Sequence, residues 1–310
     1  MGYLFLVLSV FSGSLKGFFG KKISNKTTGL KSAAFSNLIR MLFCIVIGFV
    51  FVLFDGGISS LAVSKNVLWV SVFAGVSTSI LVASWLLAIQ KSAYTAMDSF
   101  LAMGIFIPIV LSLIFYEESV TLSQLIGLAL LVCSVLMMGA YNKQIKEKLS
   151  LSAILLLLIA SISNGLSDFS QKVFIYTASD ASPSAFNFYT YIVAAVVLFI
   201  FFLCLKETPS KENLQEGTLE AEQKKGGLLD KWTLLYIAIV ALALFCYSYF
   251  KTLAAGHLKA GELYPLAQGL STVFSIIISS VFLKEKIKPL SIIGMVVLFV
   301  GLLFINVIVF

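Results

Sequence analysis

Two stretches of the sequence repeat each other and decide the fold. Residues 118–127 read Glu-Ser-Val-Thr-Leu-Ser-Gln-Leu-Ile-Gly, and residues 285–294 read Glu-Lys-Ile-Lys-Pro-Leu-Ser-Ile-Ile-Gly. When the second stretch is placed on the first, glutamate falls on glutamate and the final Ile-Gly falls on Ile-Gly. Each stretch lies between two long apolar segments. The repeat therefore predicts a membrane chain that is built from two similar halves, as many transporters are.

The composition places the chain in a membrane. Hydrophobic residues make up 59% of the sequence and charged residues 12%, whereas soluble domains have about 45–50% and about 25%. The net charge of +7 comes from lysines in short connections, so no nucleic-acid partner is expected. The four cysteines lie far apart in apolar runs. They have neither metal-ligand spacing nor a disulfide pattern, and no metal or cofactor is expected.

The apolar segments predict an all-α membrane protein with ten transmembrane helices. A crossing helix needs about 20 mostly apolar residues, and an open sheet would leave backbone groups unpaired in hydrocarbon. Ten segments meet this requirement: 3–20, 32–54, 68–90, 93–115, 121–141, 151–172, 184–205, 232–250, 262–283 and 289–309.

Five helices in each half force the second half to insert upside down. The expected halves are residues 1–145 and 146–310, with a charged connection at 206–231 inside the second. Such an inverted repeat places the substrate site near the middle of the bilayer, where the halves meet.

The lysine distribution predicts the orientation in the bilayer. Connections after helices 1, 3, 5, 7 and 9 hold sixteen lysines. The other connections, counted with their helix ends, hold four: Lys65, Lys172, Lys251 and Lys259. Because cytoplasmic loops are rich in Lys and Arg, both termini are expected outside, in a multi-pass protein of the cytoplasmic membrane.

The beginnings of the two halves also match. Residues 9–16 read Ser-Val-Phe-Ser-Gly-Ser-Leu-Lys, and residues 161–168 read Ser-Ile-Ser-Asn-Gly-Leu-Ser-Asp. These features, together with Pro108, Phe115-Tyr116-Glu117-Glu118 and the echo Phe282-Leu283-Lys284-Glu285, resemble the ten-helix EamA branch of the drug/metabolite transporter superfamily. One departure is Ser12, which stands where the family commonly has tryptophan.

That resemblance implies a basket of ten helices around a central cavity lined largely by helices 1, 3, 4, 6, 8 and 9. Members of the family move amino acids, nucleotide-sugars, drugs and other small polar solutes by alternating access. The resemblance covers essentially the whole chain. The halves have nevertheless diverged in the middle, because Pro265 comes early in helix 9 whereas Pro108 comes late in helix 4.

Charged residues inside apolar segments are the main candidates for a site, since a buried charge in a membrane helix is costly. Lys16 and Asp168 occupy matching positions in helices 1 and 6, and we expect them to pair and to bind a polar solute or exchange a proton. In the alternative interpretation, both reach the interface. Arg40 in helix 2 is an anion clamp, a partner of a structural acid, or a side chain that extends to the cytoplasmic face.

Helices 4 and 9 supply the remaining ionisable candidates. Asp98 and Glu262 begin these two helices, where a carboxylate either caps unpaired N–H groups or couples protons. Gln268 lies deeper in helix 9 and is a candidate hydrogen-bonding contact. The other candidates are Asn164 in the repeated segment of helix 6 and the aromatic residues Trp85, Tyr94 and Tyr264.

These observations predict a secondary active or facilitative transporter of a small polar metabolite. An amino acid is the first choice, because it satisfies both the cationic and the acidic candidates. Protons are an open coupling partner, and a monomer or homodimer is expected in the bilayer. A non-transporting membrane scaffold is an alternative. An intramembrane enzyme is disfavoured, because His257 is the only histidine and no catalytic constellation is recognisable.

Overall fold

The fold is a bundle of helices. The computed structural model describes residues 1–24, 30–89, 100–101, 103–140, 150–178, 181–205, 230–282 and 289–306. Within these ranges the chain forms ten long α-helices and a short 3-10 helix at Ile58–Leu61, and no strand. The ten are α1 Gly2–Ser24, α2 Leu30–Phe54, α3 Lys65–Ile89, α4 Phe106–Tyr116, α5 Leu122–Ala140, α6 Leu151–Thr177, α7 Pro183–Cys204, α8 Lys231–Ala255, α9 Ala260–Phe282 and α10 Pro289–Asn306.

The predicted all-α, ten-helix membrane fold is confirmed. Among the described residues, six helices are long and apolar enough to cross a bilayer: α1, α2, α3, α6, α7 and α8. Three shorter apolar helices lie within α4, α5 and α10. Large apolar side chains such as Phe54 and Trp69 are exposed on the outside of the bundle, as a lipid-facing surface requires.

Helix ends follow local sequence signals. The side chain of Ser150 accepts a hydrogen bond from the N–H of Ala153 and caps α6. Ser182 caps α7 in the same way, and Pro183 follows at the first helical position. Both devices satisfy or remove N–H groups that have no partner inside the helix.

The fourth helix differs from the prediction of one unbroken segment at 93–115. A turn at Gly104 and Ile105 precedes α4, and Ile107 N–H donates to the carbonyl of Gly104 only three residues earlier. Pro108 has no N–H and therefore cannot donate to that carbonyl, so the regular α-helical ladder is interrupted there. The break also brings Gly104 against Gly165 of α6, where a Cβ on Gly165 would collide with the Gly104 carbonyl.

The contacts between helices form a symmetric pattern. Each helix of the first half has an equivalent five helices later, so that α1 corresponds to α6 and α3 to α8. α1 packs along α8, and α6 packs along α3. Likewise, α1 contacts α9 as α6 contacts α4, and α3 contacts α7 as α2 contacts α8. The pairs α2–α7 and α5–α10 join equivalent helices directly. This is the pattern of a pseudo-twofold axis between two five-helix units. The predicted boundary between residues 145 and 146 lies outside the described residues.

Two hydrophobic clusters hold the bundle together. One joins α1, α4, α5, α9 and α10 with the end of α8, and includes Tyr264. The other joins α2, α3, α7 and α8, and includes Tyr191. In the first cluster α5 and α10 approach closely, since a Cβ on Gly127 would lie 2.5 Å from the carbonyl of Gly301. Small residues permit such backbone contact between membrane helices.

Candidate functional site

A buried ion pair lies in the interior of the bundle, between α6 and α8. Lys251 Nζ lies 2.6 Å from Asp168 Oδ1, and the two side chains are 3% and 12% exposed. Buried charges require both a partner and further hydrogen bonds. Lys251 has a second partner in the hydroxyl of Tyr247, to which it donates over 2.9 Å.

Aromatic rings surround the lysines of this pair. Lys251 Nζ lies 5.1 Å from the ring centre of Tyr247 and 5.2 Å from that of Tyr264. Lys16 Nζ of α1 lies 4.6 Å from the ring centre of Tyr247. Both cations are thus within the range of favourable cation–π contact. The hydroxyl of Tyr264 also donates to the backbone carbonyl of Asp168 over 2.7 Å, which fixes α6 to α9.

The cluster contains more positive than negative charge. Lys16 interacts electrostatically with Arg40, Lys251 and Asp168. We call these four residues the charged cluster. Its formal charge is three cations against one carboxylate. Lys16 makes no hydrogen bond within the described part of the chain, and the buried Nε of Arg40 has no hydrogen-bond partner there.

The prediction that Lys16 pairs directly with Asp168 is wrong, because another lysine is the partner of Asp168. Lys251 forms that pair, because α8 continues to Ala255 and places Lys251 inside the bundle. The apolar pattern predicts that this helix ends at residue 250, with Lys251 in the connection. Gly256, a typical residue for a helix C-terminus, is the signal that would have placed the end correctly.

A second buried ion pair lies one turn further along α6. Lys172 Nζ lies 2.7 Å from Glu118 Oε1, with side chains 3% and 7% exposed. Lys172 also donates to the carbonyl of Leu258, and Glu118 Oε2 accepts the N–H of Ala260, the first residue of α9. Glu118 therefore satisfies an unpaired N–H group at the start of α9, although the helix that follows it in the chain is α5.

Of the remaining predicted residues, Asn164 and Glu262 lie near these pairs. Asn164 lies one turn before Asp168 on α6, half-buried and on the same face. Trp85 packs between α3 and α6, and Gln268 is half-buried in α9. Glu262 lies in the first turn of α9 and interacts electrostatically with Lys172, so it belongs with the second pair. Asp98 and Tyr94 lie outside the described residues.

The comparisons with known proteins decide the family. The profile of the EamA-like transporter family matches residues 151–307, which is more than half of the chain. The chain belongs to the EamA-like transporter family. A search of curated proteins returned no match.

Solved structures support the same architecture for this EamA-like chain. Twenty-eight chains of solved structures match it. One crystal structure, described only as that of a protein, has a TM-score of 0.70 at 12% identity, and the alignment covers 98% of this chain and 96% of the other. At this identity the match shows the fold alone.

The charged cluster is contributed by α1, α2, α6 and α8, so both halves of the repeat supply charges. A charge at the centre of a membrane helix costs about 2.5–3.5 kcal/mol on insertion scales. Lys16 and Arg40 are half-buried, so their charges need stabilisation by water or by another contact such as a bound anionic group.

Proposed function

We propose that this EamA-like protein is a secondary carrier of a small organic solute that contains a carboxylate. The observation that carries the proposal is the surplus of positive charge in the charged cluster. Lys251 is already paired with Asp168, which leaves Lys16 and Arg40 without an ion pair of their own among the described residues. A carboxylate would neutralise part of this surplus, and guanidinium groups bind carboxylates through two parallel hydrogen bonds.

An amino acid is the first solute class to test. Asp168 uses Oδ1 for Lys251, and its Oδ2 accepts no hydrogen bond from the described residues. The ammonium group of an amino acid could donate to this oxygen while the carboxylate contacts Lys16 and Arg40. Tyr247 and Tyr264, whose rings face the lysines, would form part of the wall around the solute. Alternating access would then expose the charged cluster to each side of the membrane in turn.

The orientation proposed for the carrier places both termini outside the cell. Of the four lysines assigned to the outer connections, Lys172 and Lys251 are each only 3% exposed and contact buried carboxylates. Only Lys65 and Lys259 are then outer surface lysines. The excess of lysines on the opposite side, which supports a cytoplasmic location, is larger than the sequence count suggested.

The test is a ligand screen on purified protein, read by thermal unfolding. Amino acids, mono- and dicarboxylates, amines and neutral sugars are compared on the wild type, Lys16→Met and Arg40→Gln. A compound at about 100 times its dissociation constant stabilises the folded state by about 2.7 kcal/mol. Compounds with a carboxylate should stabilise the wild type, and each substitution should weaken their binding about tenfold or more.

Lys65→Gln is the matched control, because Lys65 is an exposed lysine at the start of α3. It should respond as the wild type does. Compounds that stabilise should then be assayed for uptake by protein reconstituted in liposomes. Stabilisation by amines alone, or carboxylate binding that survives both Lys16→Met and Arg40→Gln, would contradict the proposed site.

A further inference from the structure

A small polar cavity lies beside the charged cluster, between α3, α6, α7 and α8. Its volume is about 20 Å³, which is enough for one water-sized occupant. Hydroxyl and amide groups make up most of its lining, including those of Thr78, Ser167, Ser170, Gln171 and Thr190. Such groups often hydrogen-bond one another between membrane helices, so an occupant is indicated only by a polar group that has no partner.

Gln171 points to an occupant. Its side chain is only 5% exposed, and its buried Oε1 accepts no hydrogen bond within the described part of the chain. A buried acceptor without a donor destabilises the folded state. Gln171 lines the cavity. An occupant that donates a hydrogen bond to Oε1, or that carries a positive charge, would therefore remove this destabilisation.

Several hydroxyl groups around the cavity already donate their protons to other groups. Ser170 donates to the carbonyl of Ser167 over 2.6 Å, and Thr190 donates to the carbonyl of Phe186 over 2.9 Å. Thr78 and Ser167 share one hydrogen bond over 3.0 Å. A hydroxyl that donates its proton keeps two lone pairs for accepting. The lining therefore offers oxygen lone pairs to an occupant, beside the amide group of Gln171.

We propose that this cavity binds a monovalent cation of the size of sodium or potassium. Its lining offers neutral, hard oxygen atoms and no carboxylate, whereas Ca²⁺ and Mg²⁺ sites use carboxylates. It also differs from a transition-metal site, since no cluster of three His, Cys, Asp or Glu side chains occurs among the described residues. Oxygen atoms on membrane helices near the centre of a repeat fold can hold a coupling ion.

The cation site borders the charged cluster, since Ser167 of its lining directly precedes Asp168 in α6. Tyr191 lines the cavity and also interacts electrostatically with Arg40. The surplus positive charge of Lys16 and Arg40 opposes a nearby cation, and a bound carboxylate would relieve that opposition. Cation and carboxylate should therefore strengthen each other's binding, as linkage requires. This coupling rests on the proposed function, but the cation site itself does not.

The experiment measures the unfolding temperature of the detergent-purified full chain in NaCl, KCl and choline chloride at equal ionic strength. Choline is too large for the cavity and serves as the reference cation. Sodium or potassium should raise the unfolding temperature of the wild type in a saturable way. Gln171→Met and Thr78→Val each remove one oxygen and should raise the apparent dissociation constant of the cation about tenfold.

Ser112→Ala is the matched control, since Ser112 Oγ is also buried and unpartnered among the described residues but lies on α4, away from the cavity. It should respond to cations as the wild type does. Equal unfolding temperatures in the three salts would overturn the proposal and leave an ordered water as the occupant. An unchanged cation response in both Gln171→Met and Thr78→Val would overturn it as well.

The coupling is tested separately, with a stabilising carboxylate compound and each salt. Stronger cation binding in the presence of the compound, lost in Arg40→Gln, supports the link between the two sites. A saturable cation effect that no carboxylate compound alters would retain the cation site and overturn the coupling. Failure of the proposed solute and failure of the cation site are thus distinguishable.

Discussion

The two buried ion pairs have nearly the same geometry and very different surroundings. Lys172 and Glu118 lie 2.7 Å apart, and Lys251 and Asp168 lie 2.6 Å apart. Both pairs include one residue of α6, and in each pair the lysine is 3% exposed. Distance and burial alone therefore do not distinguish the function of one pair from that of the other.

Their hydrogen bonds distinguish them. In the Lys172–Glu118 pair, Glu118 Oε1 accepts from Lys172 and Tyr176, and Oε2 accepts from the N–H of Ala260. Lys172 also donates to the carbonyl of Leu258. One cation and one anion are balanced here, and every strong hydrogen-bonding group has a partner. This pair holds the α4–α5 and α8–α9 connections to α6.

In the Lys251–Asp168 pair the positive and negative charges are not balanced. Asp168 has an oxygen without a hydrogen bond among the described residues, and Lys16 and Arg40 add two charges. A fully satisfied polar network stabilises a single structure, whereas a partly satisfied one is costly unless a ligand completes it. The difference supports our proposal that the Asp168 pair serves the solute, whereas the Glu118 pair holds the structure.

The largest effect is expected from breaking the structural pair. Lys172→Met leaves Glu118 buried without its cation, and removing one partner of a buried pair costs about 3–5 kcal/mol. The free energy of unfolding in detergent, measured by denaturant titration, should fall by this amount. The double variant Lys172→Met/Glu118→Gln should recover part of the loss. A single variant as stable as the wild type would show that the pair does not hold the connections.

Asp168→Asn should change solute preference. It removes the only carboxylate of the charged cluster and adds to the positive surplus. Binding of amino acids should weaken about tenfold relative to simple monocarboxylates, because the ammonium group loses a charged acceptor. Ligand-dependent thermal shifts measure this ratio. Glu262→Gln, an acid near the other pair, should leave the ratio unchanged. A similar change in both variants would mean that the two acids are not functionally distinct.

A moderate effect is expected for Tyr264→Phe. The substitution removes the hydrogen bond from the Tyr264 hydroxyl to the backbone carbonyl of Asp168 but keeps the ring beside Lys251. Loss of a neutral hydrogen bond costs about 0.5–1.5 kcal/mol, which chemical denaturation can resolve. Tyr3→Phe removes a hydroxyl from a residue that is 54% exposed and is expected to cause no loss. Equal losses in both variants would remove the special role of Tyr264.

The smallest effect is expected for Lys259→Gln. Lys259 lies between Leu258 and Ala260, both of which bind the structural pair, yet it is exposed and contacts only Ser119 Oγ over 3.1 Å. A surface substitution of this kind changes stability by less than about 0.5 kcal/mol. A loss of stability comparable to that of Lys172→Met would show that burial does not explain the different roles of Lys259 and Lys172.

Most of the fold could be predicted from the sequence, because long apolar segments and a repeated motif depend only on local composition and order. The ends of the helices were less predictable. Lys172 and Lys251 were placed at the ends of shorter helices, since a lysine in an apolar run normally marks the membrane surface. Pro108 was recognised as part of a motif, but the turn it produces at Gly104 was not predicted.

The sequence by itself determined that this is a ten-helix, two-half membrane protein with charges at Lys16, Arg40 and Asp168. Only the tertiary structure decided that Lys251 pairs with Asp168, that Lys172 pairs with Glu118, and that Gln171 borders a polar cavity. The physical reason is distance along the chain. Lys251 and Asp168 are 83 residues apart, and no local pattern specifies which of several buried cations will reach a given carboxylate. That choice is made when the helices pack.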